Sequence, residues 1–291
     1  MVSLDTFLAT PWLLYTVVAF ISLCIGSFLN VVILRLPKMM QQDWRCQCEE
    51  FLELSDDQRK KDEAITLSKP ASTCPSCGHK IRAWENIPVI SYLVLGGKCA
   101  SCKTGISPRY PMIEAVTALF SVVTILVMGS SEAALWSLLL VWVLIALTVI
   151  DFDTQLLPDS MTLPLMWLGL ILNYFGILTE FSSAFWGAVA GYLSLWSVYW
   201  LFKLVTGKEG MGHGDFKLLA ALGAWLGWEL LPAVILLSSL VGAVVGISLM
   251  VFRKHGREVP IPFGPYLAAA GLLCLWFGVE IQAAWYAYLG V

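Results

Sequence analysis

Gly210-Met211-Gly212-His213-Gly214-Asp215-Phe216-Lys217 puts one carboxylate behind closely spaced glycines at the edge of an apolar segment. A second acidic stretch, Ile150-Asp151-Phe152-Asp153-Thr154-Gln155-Leu156-Leu157-Pro158-Asp159, borders another apolar run. An ionised carboxylate at a membrane is costly, so such a residue is a functional candidate once a partner can be named. Two carboxylates that meet can share a proton, because like charges at close range cannot both ionise. One then acts as base and the other as acid towards a water attacking a peptide carbonyl, which is aspartic-protease chemistry. Asp151 borders its apolar run directly and is favoured as the partner of Asp215 over Asp153, which reads as more exposed. Asp159, after Pro158, reads first as a helix N-cap, and Asp215 has the same competing reading for the segment that follows it. Gly212 and Gly214 would permit positive φ and a close approach of a substrate backbone or a neighbouring helix.

A different chemistry is written in the cysteines. Cys74-Pro75-Ser76-Cys77-Gly78-His79 and Cys99-Ala100-Ser101-Cys102 are two C-x-x-C turns at a zinc-ribbon-like separation. Each brings two thiolates to one side of a tight loop, and Cys74, Cys77, Cys99 and Cys102 together complete a tetrahedral four-sulfur site. A redox dithiol competes with this reading, but paired knuckles and the lack of a thioredoxin-like βαβ context favour metal. Four thiolates leave no open coordination position, so the expected zinc is structural and His79 reads as a surface residue. Cys24 and Cys274, inside apolar runs, read as small buried hydrophobes. Cys46 and Cys48 receive no role.

The elements that must position these groups are membrane spans. Of 291 residues, 58% are hydrophobic, and mean hydropathy is +0.76, far from ordinary soluble composition. Apolar runs near 12–34, 113–128, 133–150, 161–178, 184–204, 216–229, 231–252 and 263–281 predict an all-α polytopic membrane protein of about eight transmembrane helices. If 35–111 is cytoplasmic, eight alternating spans place the loops near 151–159, 205–215 and 253–262 on that same side. All 18 Lys and Arg then fall there: twelve between Arg35 and Arg109, and Lys203, Lys208, Lys217, Arg253, Lys254 and Arg257. The opposite loops carry Glu132, Glu180, Glu229 and Glu280 without a base, as the positive-inside rule expects. Both termini are expected to face away from the cytoplasm, and the first run, which lacks a small-residue cleavage site, is not expected to be a cleaved signal.

The domain boundaries expected are a first helix over 1–34, a small cytoplasmic zinc-binding insertion over 35–111, and a membrane core of about seven helices over 112–291. The charged run at 41–69 reads as a solvated helix or loop. So small and polar an insertion has little core of its own, and binding a metal would supply folding free energy.

Taken together, the chain resembles the type IV prepilin peptidases, the bifunctional leader peptidases and N-methyltransferases of type IV pilus and type II secretion systems. The resemblance spans nearly the whole chain. It rests on Gly26-Ser27-Phe28-Leu29-Asn30-Val31-Val32-Ile33 with Arg35-Leu36-Pro37, the four knuckle cysteines, Asn86-Ile87-Pro88-Val89, Ser107-Pro108-Arg109-Tyr110-Pro111 and Pro262-Phe263-Gly264-Pro265. Most specific are the Asp151 loop and the Gly-x-Gly-Asp at 212–215, which the family shares with presenilin-like aspartyl proteases.

The resemblance implies that Asp151 and Asp215 are the catalytic pair, in agreement with their placement. It implies cleavage of type IV prepilin or pseudopilin leaders after a glycine at the cytoplasmic face of the bacterial inner membrane, then methylation of the new N-terminal residue from S-adenosylmethionine. Gly96 and Gly97 occupy the position that the family associates with methyl transfer; a simple turn between strands is the competing reading. No G-x-G-x-x-G follows a predicted strand, so no familiar nucleotide fold is legible. The partners expected are prepilin substrates and the lipid bilayer, with no nucleic acid. Two alternatives stand beside this one: a general intramembrane aspartyl protease, against which the insertion argues, and a zinc-stabilised transporter or assembly scaffold, for which no convincing paired repeat of broken helices is found.

Overall fold

A computed structural model describes residues 11–55, 64–253 and 262–289. Part of the charged run, most of the loop at 253–262 with Lys254 and Arg257, and the first ten residues lie outside the described residues. The described residues form helices with no strand beyond two isolated bridges. Two compact units emerge, Met1–Leu126 and Val127–Val291.

In the N-terminal unit, α1 spans Pro11–Phe51 and α3 spans Arg109–Met128. Between them lie a 3₁₀ turn, Ala83–Asn86, and a five-residue helix α2, Ile90–Val94. The first helix was expected to end near residue 34 but runs on past Pro37 into the charged segment. Good helix formers and an Arg45–Glu49 pair one turn apart carry it there. It stops where Glu53 takes φ 49° and the Glu53 and Leu54 amides bond back to the carbonyls of Glu50 and Glu49. Against α3 the helix packs through Gly26, where an added Cβ would lie 2.7 Å from the Glu114 Cα. Buried Asn30 donates to the Tyr110 carbonyl at 3.1 Å.

The C-terminal unit contains α4 (Glu132–Thr154), α5 (Asp159–Tyr174), α6 (Phe181–Thr206), α7 (His213–Leu226), α8 (Leu231–Arg253) and α9 (Gly264–Leu289). Each of the eight expected runs coincides with one helix. Six helices among the described residues are long and apolar enough to cross a membrane. The other two, α5 at 16 residues and α7 at 14, reach only about 24 and 21 Å at 1.5 Å per residue. The short α7 is apolar on all sides because it is the buried centre, packed against α5, α6 and α9.

Small residues make that packing possible. A Cβ on Gly187 of α6 or on Gly223 of α7 would run into the other's backbone carbonyl, so only glycine lets these two helices touch. Trp225, fully buried, donates its indole N–H to the Leu165 carbonyl at 2.8 Å, and buried Asn173 donates to the Ala224 carbonyl at 2.8 Å. These two bonds clasp α5 to α7 and supply partners for buried polar groups that would otherwise be costly.

Candidate active site

Asp215 lies inside a helix, not ahead of one. α7 begins three residues earlier than the apolar pattern implies, with Gly212 as its N-cap and Asp215 at the third helical position. The capping reading of Asp215 is thereby corrected: the residue is in the first turn, 7% exposed, beside the backbone donors that a helix start leaves unpaired. Its Oδ1 is buried and has no hydrogen-bond partner among the described residues.

Asp151 lies in the last turn of α4, 5% exposed. α4 ends directly after it, at Gln155, whose φ is 55° and whose amide bonds to the Asp151 carbonyl. The side-chain Oδ2 accepts the Gly264 N–H at 2.9 Å. Gly264 is the first residue of α9, so Asp151, like Asp215, sits at the N-terminal end of a helix, where backbone N–H groups favour negative charge. The two carboxylates are close enough to act on one another electrostatically.

Leu157 sits between the two glycines that serve these acids. An added Cβ on Gly214 would come within 2.6 Å of the Leu157 Cβ, and one on Gly264 within 3.3 Å of its Cδ1 and 2.7 Å of the Asp151 Oδ2. The glycine rationale therefore changes. Neither Gly212 (φ −76°) nor helical Gly214 has positive φ. What Gly214 supplies is close approach, to the loop that carries the partner acid.

The competing acids are elsewhere. Asp153 is exposed. Asp159 is the first residue of α5, after an N-cap at Pro158, and both its oxygens accept from Lys217 Nζ at 2.7 Å; its capping reading is corrected to an inter-helix ion pair. His213 packs its ring against Tyr199 and Phe216 at centroid distances of 5.1 and 5.4 Å. Gly264 and Leu157 were not foreseen as site residues. The Pro-flanked Gly264 was visible as a motif, but nothing local reveals a bond to an acid 113 residues away.

In the N-terminal unit the four knuckle cysteines meet. Their sulfurs all lie within 4.8 Å of one another, with Cys74 Sγ and Cys102 Sγ 3.7 Å apart. Zinc–thiolate bonds of ~2.3 Å set tetrahedral sulfur separations of roughly 3.8 Å, so the cluster fits that ion. The knuckles repeat one construction. A bridge pairs Thr73 with Lys80 and Lys98 with Gly105, and Gly78 and Lys103 bond back to the carbonyls of Cys74 and Cys99 with φ of 70° and 61°. The Thr104 hydroxyl and amide bring the Cys102 thiol down to about 6 and the Ser76 and Cys77 amides lower Cys74, whereas Cys77, against the pull of the His79 amide, is pushed up to about 11 by its neighbouring sulfurs, Cys102 first, and holds the proton that a metal would displace. His79, expected at the surface, is half-buried and pairs with Glu85 at 3.0 Å, which also accepts the Arg82 N–H.

Gly96 and Gly97 follow a helix, not a strand. With φ of 62° and 69° they form the left-handed cap of α2, their amides bonding to the carbonyls of Leu93 and Tyr92. They turn the chain into the second knuckle. Of the cysteines without a role, Cys274 is buried as expected, whereas Cys24 is exposed on α1.

Residues 20–128 match the bacterial Peptidase A24 N-terminal domain, and residues 138–247 match the type IV leader peptidase family. A prepilin leader peptidase/N-methyltransferase of Stutzerimonas stutzeri is 56% identical over 280 residues, 96% of each chain. The chain belongs to the prepilin leader peptidase/N-methyltransferase family. A family member of Pseudomonas aeruginosa is 54% identical over 270 residues (93% of this chain, 92% of its own), and one of Burkholderia pseudomallei is 47% identical over 258 residues (89% and 84%). No solved structure matches the chain. The boundary between the two family matches, 128 to 138, lies close to the division between the two structural units, so each family segment corresponds to one chemistry: thiolates in the first, carboxylates in the second. Both the family and the six apolar helices make this a multi-pass membrane protein.

Proposed function

We propose that this protein is a membrane aspartic peptidase that removes the leader of type IV prepilins or pseudopilins and methylates the new N-terminal residue. The observation that carries the peptidase reading is two buried carboxylates that act on one another electrostatically: Asp151, held by the first N–H of α9, and Asp215, in the first turn of α7 with an unpartnered oxygen. The pair shares one proton. The ionised carboxylate takes a proton from water as its oxygen attacks the scissile carbonyl, and the protonated one donates to the carbonyl oxygen. Gly264 holds Asp151 through its N–H, and burial excludes the solvent that would weaken both interactions.

Cys74, Cys77, Cys99 and Cys102 hold a zinc ion whose role is to fold the insertion, since no ligand position stays open. S-adenosylmethionine supplies the methyl group. Gly96 and Gly97 belong to the methyl-transfer region; Gly96, exposed with open space at its Cα, is compatible with a close ligand approach, while Gly97 packs against the Tyr92 ring. The distribution of Lys and Arg supports a cytoplasmic insertion and active site with both termini in the periplasm of a bacterial inner membrane.

The test is mass spectrometry of a purified prepilin incubated with the full-length protein in detergent or lipid, with and without S-adenosylmethionine. Leader loss in both reactions and a methyl group only in the second is the expected result. An intact prepilin in both contradicts the reading. A panel of unrelated single-span proteins should remain uncut; their cleavage would favour a general intramembrane protease. Gly96→Ala is expected to lower methylation while cleavage persists, and equal loss of both would refute a role specific to methyl transfer.

A further inference from the structure

We propose that the zinc-knuckle segment of the N-terminal unit is itself a membrane-surface module: an apolar ridge on α2 and the turn before it inserts into the anionic headgroup region of the bilayer. The ridge follows from helical spacing. Ile90, Leu93 and Val94 recur at three- and four-residue spacing on one face of α2, and Ile87, in the extended turn before it, is joined to the helix by the Ser91 amide, which bonds to its carbonyl. Trp84, one 3₁₀ turn earlier, extends it. All five are exposed, Leu93 and Val94 at 70% and 78%, although each has a purely or largely apolar side chain. That much contiguous apolar surface on so small an element calls for an apolar occupant.

Two observations name lipid as that occupant. The first is depth. Val89, at the head of α2, adopts φ 59° and ψ −47°, a conformation that is costly for a β-branched residue. Its N–H is held at 2.8 Å by the buried carboxylate of Glu114, to which Ser27 of α1 also hydrogen-bonds. Glu114 lies at the start of the apolar run of α3, a helix long enough to span, so the latch ties the start of α2 to the level at which that span enters the bilayer. Interfacial helices lie at that level, with their apolar faces buried ~5–10 Å.

The second observation is charge. Residues 64–111 contain Lys69, Lys80, Arg82, Lys98, Lys103 and Arg109 but only one acid, Glu85. That acid is already engaged by His79 and the Arg82 amide. Even after four thiolates and a divalent ion are counted, the segment remains cationic. An apolar ridge carried on a cationic segment is the pattern that binds an anionic bilayer surface.

The test uses the full-length, zinc-loaded protein in vesicles of phosphatidylethanolamine and phosphatidylglycerol. A photoreactive benzoylphenylalanine is placed in turn at Leu93, at Val94, at Phe20 in the apolar part of α1, and at Gln47 in its polar extension. Zinc content and prepilin cleavage verify that each variant is folded. Lipid adducts at 93 and 94 should approach the yield at 20 and exceed that at 47 several-fold, and replacing phosphatidylglycerol by phosphatidylcholine should lower them. Adducts at 93 and 94 no more abundant than at 47 overturn the proposal. So do adducts chiefly to a second copy of the chain or to an added prepilin, which would make the ridge a protein interface.

Discussion

The two units solve the same problem, holding a few reactive side chains in place, by opposite means. In Met1–Leu126 the reactive cysteines sit on short turns with little around them; three of the four are partly or fully exposed. On the proposed reading a bound zinc would supply what burial does not. In Val127–Val291 the reactive acids are fixed by packing: α7 is buried from Asp215 to Leu226 apart from Lys217, and glycines bring its neighbours to backbone contact. The first arrangement is local and chemically strong. The second is long-range and depends on many weak contacts, so it tolerates less change of shape.

This contrast ranks the consequences of mutation. The largest effect is expected at the acids themselves. Asp151→Asn or Asp215→Asn should lower leader cleavage by about a thousandfold or more, measured as the initial rate on a purified prepilin, because each would remove one member of the proposed proton-sharing pair. Next come the cysteines. Cys99→Ser, or exhaustive chelation, should reduce bound zinc from about one ion per chain to none by metal analysis. Hydrogen exchange should then rise through 64–111 while α7 stays protected. Loss of protection in α7 as well would break the distinction between the two units.

Glycine substitutions probe the packed unit at intermediate strength. Gly264→Ala places a methyl group against the Asp151 carboxylate, and cleavage should fall by roughly ten- to a hundredfold with little change in KM. Gly187→Ala should destabilise the α6–α7 contact by about 1–3 kcal/mol, read as a lower midpoint of thermal unfolding in detergent. The smallest effect belongs to Lys217→Ala. Its ion pair with partly exposed Asp159 is worth at most about 1 kcal/mol, and cleavage should stay within about twofold of the parent rate.

The same contrast explains what the sequence disclosed. The knuckles were legible almost completely, because a C-x-x-C turn carries its geometry within a few residues, and two of them sufficed to predict a site whose sulfurs do converge. The eight apolar runs were legible too as helices, six of them long and apolar enough to cross a membrane. Their ends were not. α1 passes its expected limit because polar helix formers continue a helix that hydropathy alone would stop, and α7 starts before its apolar pattern because Gly212 caps it outside the run.

Asp151 and Asp215 could be placed on one membrane face from loop alternation, yet the means of holding them could not be read. Gly264 lies 113 residues from the acid it holds, and the Gly214 contact with Leu157 depends on how three helix ends meet. Asp159 shows the converse failure. Its position after a proline is good capping chemistry, but a lysine 58 residues away takes both its oxygens. Val89 is a further case: nothing in Asn-Ile-Pro-Val announces a valine with positive φ, and its N–H is held by Glu114 from a different helix.

The central claim is that Asp151 and Asp215 act as one unit. A double-substitution cycle on leader cleavage tests it most directly, comparing Asp151→Asn, Asp215→Asn and the two together at saturating prepilin. Residues that share one proton should not contribute independently, so either single substitution should cost about as much as the pair. Effects that multiply, or a single variant that keeps the parent rate, would contradict the account.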